Sequence, residues 1–124
     1  MIIGTGIDIV DVGRIENLLL KYGDRFLQRI FTPDEIVYCN GKSNPPENLA
    51  ARFAAREAMV KAVGAGFTKG MRFHDVSVKM NKGRPEIMLS GLLMEIVQSA
   101  GIKKIHLSIS HERKYAVALV ILEV

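Results

Sequence analysis

The sequence predicts an α+β fold, in which a mostly antiparallel sheet packs against helices within one domain. Three observations carry this. The chain opens on a strand-like alternation, Ile2 to Val10, and closes on two more, Ile105 to Ser110 and Tyr115 to Leu122. Its middle, Leu49 to Gly64, has helical period and is rich in alanine. The joins between the later strands are too short for crossover helices, so those strands pair antiparallel. A length of 124 residues suits a single domain, 1–124.

Each element follows from local signals. Asp11 stands where a helix N-cap belongs, and Ile15, Leu18, Leu19 and Tyr22 form the apolar stripe of a helix from Val12 to Tyr22. Gly23 is its stop. A short piece, Asp24 to Ile30, is anchored by Phe26, Leu27 and Ile30. Thr32, Pro33 and Glu35 are a helix start: a cap, a proline at the first helical position and a capping-box partner. A catalytic base is the other reading of Glu35. Residues 41–48, with adjacent prolines Pro45 and Pro46, read as a loop. After Gly64 the chain is expected to turn through residues 65–67. Val76, Val78 and Met80 alternate as a strand, Asn81 to Arg84 reads as a hairpin turn, and Glu86 to Leu89 returns. Ser90 is placed to cap a helix carrying Leu92, Leu93, Ile96 and Val97, which Gly101 ends. His111 to Lys114 is a second hairpin turn. The run after it, Tyr115 to Leu122, is nearly all apolar, which predicts a central strand buried on both faces. The coarse order is β-α-α-α-β-β-α-β-β.

Composition narrows the classes of function. Apolar residues at 48% and charged residues at 24% are ordinary for a soluble protein. No apolar run approaches a membrane span, and the first residues lack the basic and apolar regions of a signal peptide. A cytoplasmic location is expected. Cys39 is the one cysteine, so neither an internal disulfide nor a cysteine-built zinc site is possible. A net charge of +4 suggests an anionic partner. Aromatic content of 6%, with no tryptophan, leaves little with which to stack nucleic-acid bases.

The chemistry concentrates on the alanine-rich helix. At 3.6 residues per turn, Leu49, Phe53, Val60 and Val63 lie on one side, and Ala51, Ala55, Ala58 and Ala62 on the other. Glu57 and Lys61 share a face between them. A helix without a wide polar face is normally buried, and buried charge needs partners. The pair is therefore either a plain i,i+4 contact or part of a site. In the first strand Ile3, Thr5, Ile7 and Ile9 point one way, and Gly4, Gly6 and Asp8 the other. Glycine in a strand often marks close approach by another backbone or a ligand. Asp8 is open to more than one reading: a strand-end carboxylate, a partner for one of the arginines, or a site residue. Two carboxylates and a lysine suffice to hold a divalent cation and a phosphate, provided that they meet. His106, Ser108 and Ser110 make one polar face of a late strand and would supply donors to phosphate oxygens.

Together these residues resemble the holo-acyl-carrier-protein synthases, the small bacterial 4′-phosphopantetheinyl transferases. The match is carried by GIDIVDVGRIE at 6–16, ENLAARFAAREAMVKAVG at 47–64, HLSISH at 106–111 and, more weakly, GRP at 83–85. It spans essentially the whole chain. It implies the 4′-phosphopantetheinyl transferase fold and a reaction. The phosphopantetheine arm of coenzyme A passes to a serine of apo acyl carrier protein, adenosine 3′,5′-bisphosphate leaves, and Mg²⁺ is required. It also implies a homotrimer with active sites between subunits.

By the same resemblance Asp8 and Glu57 are the protein carboxylates on Mg²⁺. Lys61 reaches a phosphate oxygen and assists proton transfer from the serine. Arg52 and His106 suit the adenosine phosphates, Gly64 and Pro85 make close backbone contact with coenzyme A, and Ser108 is a further phosphate contact. Acyl carrier proteins are acidic. Arg14, Lys21 and Arg25, spaced by seven and four, form a basic stripe for one if their helix continues, with Phe26 as an apolar anchor. The family commonly has lysine where Arg56 stands. Arginine keeps the charge but not the compact ammonium, so Arg56 stays outside the catalytic set. The competing classes are a basic nucleic-acid-binding module, which rests on charge alone, and another metal-dependent phosphoryl-transfer enzyme using Asp8 and Glu57.

Overall fold

Every strand of the computed structural model, which describes residues 1–64 and 70–124, pairs antiparallel. The first strand, β1 (Ile2–Asp11), leads into α1 (Val12–Tyr22), α2 (Asp24–Ile30), α3 (Pro33–Asn40) and the long α4 (Pro45–Val63). A single 3-10 turn (Phe73–Asp75) precedes the hairpin of β2 (Val76–Asn81) and β3 (Arg84–Leu89). Then come α5 (Gly91–Ser99), β4 (Lys104–His111) and β5 (Tyr115–Glu123). The main sheet has the order β1-β5-β4, and β2 and β3 form a separate two-stranded sheet. The α+β class and the two hairpin pairings, β2 with β3 and β4 with β5, follow the sequence expectation; the pairing of β1 with β5 was not foreseen, and two sheets form where one was expected. The turn expected at residues 65–67 lies outside the described residues.

The caps explain most boundaries. The Asp11 side chain accepts from the Gly13 amide at 2.8 Å. The Thr32 hydroxyl and the Glu35 carboxylate form the expected capping box. Two boundaries differ from expectation. The loop before α4 is shorter than 41–48, because Asn44 caps the Glu47 amide and Pro45 and Pro46 fill the first turn, where a missing N–H costs nothing. Ser90 precedes α5 but makes no side-chain cap; its hydroxyl donates instead to the His74 carbonyl at 3.4 Å.

α4 lies at the centre of the molecule, and its alanines and Met59 are buried nearly all round. Ala116, Ala118, Val120 and Leu122 of β5 form the sheet side of the core. The opposite face of β5 is a correction to the sequence reading: Tyr115 and Leu119 lie open, with Leu119 38% exposed. Across the ladder Leu119 pairs with Ile7, which is 60% exposed, and Val117 pairs with Ile9, 66% exposed. The isoleucine face of β1 is thus the outer one, and the glycine face turns inward. Nothing within one chain covers the outer face among the described residues. No described helix is long and apolar enough to cross a membrane.

A buried ion pair fixes the helices to the hairpin. Glu35 and Arg56 are 1% and 0% exposed and are paired through both guanidinium Nη atoms. Glu35 also accepts from the Val78 amide at 3.0 Å, and the Arg56 Nε donates to the Phe73 carbonyl at 3.0 Å. Glu35 is therefore cap and counter-ion at once, and the charge on Arg56 is structural. Cys39 is also buried, which pushes its thiol up to about 11.

Candidate active site

The site begins with the two inward glycines of β1. A Cβ on Gly6 would stand 1.9 Å from the Ala58 carbonyl oxygen, and one on Gly4 2.2 Å from that of Ala62. α4 therefore lies on β1 almost backbone to backbone, an approach that only glycine permits. This closeness carries Lys61 to Asp8: its Nζ donates to Asp8 Oδ1 at 3.0 Å and to the Ile7 carbonyl at 3.1 Å. Glu57, one turn earlier on α4, is half-buried beside them. Its carboxyl is held above the ordinary carboxylate range, first by burial and then by the negative charge of Asp8, while Lys61 and Arg14 act the other way. Asp8, Glu57 and Lys61 thus meet at one place. α4 ends there at Gly64, whose φ of 84° is the left-handed region.

The donor set is a pair of carboxylates, and among the described residues no group of three or more His, Cys, Asp or Glu side chains stands together as a metal cage. Two hard oxygen donors fit Mg²⁺, which is usually held by one or two carboxylates together with substrate phosphate oxygens and several of its own waters. Burial lifts the Glu57 carboxyl most, and the repulsion from Asp8 that adds to it is what a bound cation would relieve.

Beside this cluster a groove of about 500 Å³ runs between α1, α2 and α4. Its lining includes Arg14, Arg25 and Phe26, with Phe53, one turn before Glu57, leading toward the carboxylates. The Arg14 guanidinium lies 5.7 Å from the Phe53 ring centroid. The continuous stripe expected through Lys21 does not form. Gly23, at φ 54° and ψ −129°, breaks the helix, and Lys21, which does not line the groove itself, lays its ammonium over the ring of Tyr22, which does. Arg29 lines the groove instead. The sequence reading missed it, though its position four residues after Arg25 on α2 was a usable signal. Phe53 was read only as core.

A second cavity, of about 370 Å³, opens on another side of α4. Arg52, only 2% exposed, lines it with Tyr38, Gly83, Pro85 and His111. The guanidinium stacks 4.4 Å from the Tyr38 ring centroid and donates to the Asn48 carbonyl at 3.1 Å, while its Nε has no partner among the described residues. Arg52 and Pro85 are thus brought together. His106 and Ser108 are not. They sit opposite Ile121 and Leu119 on the outer face of the sheet, whereas Asp8 sits opposite Ala118 on the inner face. His106 Nε2 is 2.5 Å from Glu123 Oε1, and this hydrogen bond lowers the Glu123 carboxyl.

Residues 4–120 match the model of the 4′-phosphopantetheinyl transferase superfamily. The chain belongs to that superfamily. Among relatives of this transferase, the holo-[acyl-carrier-protein] synthase of Koribacter versatilis is 51% identical, covering 99% of both chains. That of Halothermothrix orenii is also 51% identical, over 98% of this chain and 97% of its own. In three dimensions the transferase is similar to the holo-[acyl-carrier-protein] synthase of Neisseria meningitidis, with a TM-score of 0.90, 37% identity and 99% coverage of each chain. The Helicobacter pylori synthase, solved in complex with coenzyme A, gives 0.84 and 35%, over 96% of this chain and 99% of that one. The fold is therefore that of the 4′-phosphopantetheinyl transferases.

Proposed function

We propose that this transferase moves the 4′-phosphopantetheine arm of coenzyme A onto a serine of apo acyl carrier protein, releasing adenosine 3′,5′-bisphosphate, in the cytoplasm. The observation that carries the reading is the meeting of Asp8, Glu57 and Lys61 in a chain whose full-length relatives are holo-[acyl-carrier-protein] synthases. In the reaction the serine oxygen attacks the phosphorus that bears the pantetheine arm. The bond from that phosphorus to the bridging oxygen breaks, and the bisphosphate departs with the electron pair. Asp8 and Glu57 would hold Mg²⁺, which would polarise the pyrophosphate and offset charge on the leaving group. Lys61 reaches a phosphate oxygen from its place on Asp8 and assists removal of the serine proton. Arg52, with Pro85 beside it, receives an adenosine phosphate, and Gly64, which has no side chain and caps α4, lets its backbone come close to the coenzyme.

The groove of Arg14, Arg25, Arg29 and Phe26 suits an acidic carrier protein, because its cations rim an apolar floor that leads to the carboxylates. The open apolar face of β1 and β5 supports association between copies, which the family resemblance makes a homotrimer, since such a face calls for cover. In that assembly His106 and Ser108 of one subunit complete the phosphate contacts of the next.

The test is the intact mass of an apo acyl carrier protein after incubation with this protein, coenzyme A and Mg²⁺, with an EDTA control. The expected outcome is a metal-dependent gain of one phosphopantetheine arm on the carrier serine. A competent carrier left unmodified by folded protein overturns the reading.

A further inference from the structure

We infer that Glu47 is a positioning residue for coenzyme A: it holds His111 so that the ring serves the Arg52 cavity as a second anchor for the adenosine 3′-phosphate. The inference rests on the proposed use of that cavity for the nucleotide end of coenzyme A. Glu47 lies in the first turn of α4, its amide capped by the Asn44 side chain at 3.4 Å. His111 closes β4, sixty-four residues away in sequence, and its Nδ1 lies 2.6 Å from Glu47 Oε1. Both side chains are partly buried, with His111 33% and Glu47 19% exposed.

A carboxylate at that distance accepts from the Nδ1–H and fixes the plane of the ring; an anion at Nε2 takes the ring with both nitrogens protonated, since a neutral ring held this way would offer only a lone pair there. The nitrogen left over is Nε2. His111 lines the cavity that also holds Arg52, whose guanidinium is buried with one N–H unpartnered among the described residues. A buried cation with spare donor capacity, and a histidine whose other nitrogen is already tied, are an arrangement for an anion. The glycine turn at Lys82 and Gly83, with φ of 51° and 79°, brings backbone of the hairpin to the same cavity. A tie that served stability alone would achieve little here, since a single hydrogen bond contributes only about 0.5–1.5 kcal/mol net.

The experiment compares steady-state kinetics of the wild type with Glu47→Gln, Glu47→Asp, His111→Gln and the Glu47→Gln/His111→Gln double variant, using coenzyme A and 3′-dephospho-coenzyme A, with thermal midpoints alongside. Arg52→Gln serves as the control for the cavity. Glu47→Gln is expected to raise KM for coenzyme A on the order of tenfold, the loss typical of a hydrogen bond to a charged group, with kcat and KM for the carrier protein held within about twofold. Glu47→Asp should recover part of the loss. The double variant should be no worse than His111→Gln, and 3′-dephospho-coenzyme A should show no difference between wild type and Glu47→Gln. If Arg52→Gln raises KM and Glu47→Gln changes only the thermal midpoint, the positioning role is overturned while the cavity assignment stands. If Arg52→Gln leaves KM unchanged, or the wild type transfers nothing, the underlying reading falls and this one with it.

Discussion

Glu57 is placed where its own ionisation opposes folding. Burial and the Asp8 charge hold its carboxyl above the ordinary range, so the folded state favours the protonated form. The favourable contribution is present below the pKa of the unfolded chain and is lost as pH rises through the raised folded value. At neutral pH the ionised carboxylate is a net cost, and an amide of the same shape removes it. Glu57→Gln is therefore expected to raise the thermal midpoint at neutral pH in the absence of metal, with the gain vanishing toward roughly pH 4, where the unfolded carboxyl is itself protonated. The same variant should lose transfer by more than about a hundredfold, since losing even an outer-shell partner of a metal ligand costs roughly 10–100-fold. Calorimetry across pH and a carrier-modification assay check both halves. A fall in stability would mean that Glu57 is paired favourably in the apo protein. Asp8, Glu57 and Lys61 were legible in the sequence because residue type and period placed them on particular faces. The partner of Arg56 was not. Glu35 is twenty-one residues away, and its capping role, which is local, gave no hint of the buried ion pair.

At the scale of elements, the crossing of α4 over β1 decides whether the site exists. Gly6→Ala places a methyl group 1.9 Å from the Ala58 carbonyl oxygen, and helix backbone cannot yield to it as a side-chain tip would. The expected cost is about 1–3 kcal/mol or more, the range for overpacking, together with loss of the Lys61–Asp8 contact and of transfer. Urea unfolding and the same modification assay measure it. An active, fully stable variant would show that the two backbones are less closely apposed. The groove between α1 and α2 permits a separate prediction. Arg14→Glu with Arg25→Glu should raise KM for the carrier protein more than tenfold, in line with losing two complementary charges at an interface, while KM for coenzyme A stays within about twofold. Equal losses for both would argue against the groove as the carrier surface. Helix starts and stops were readable here from Asp11, Gly23 and Thr32, because caps act through neighbours in sequence. The break at Gly23 nevertheless undid the stripe through Lys21. The inference that Arg14 and Arg25 belong together held only because the fold returns α2 to α1.

For the whole molecule, the open face of the main sheet divides the proposed machinery in two. Asp8 points inward toward α4, whereas His106 and Ser108 point outward among Ile7, Leu119 and Ile121. The sequence placed these residues on strands and faces correctly, yet no pattern along one chain says that two faces of one sheet serve a common site. An apolar outer strand face reads as core whether its cover comes from the same chain or from a copy, which is why β5 was expected to be buried on both sides. If copies meet through this face, Asp8 of one subunit works with His106 of its neighbour. Asp8→Asn and His106→Ala should then each be inactive alone, yet restore activity when coexpressed. In a random equimolar mixture a site is intact only when a subunit with native Asp8 meets a neighbour with native His106, which gives about a quarter of wild-type activity. Ile7→Lys with Leu119→Lys should leave a folded monomer by light scattering and abolish both the native activity and the rescue. Two inactive variants that stay inactive within a demonstrated mixed oligomer would place the whole site within one subunit and remove His106 from it.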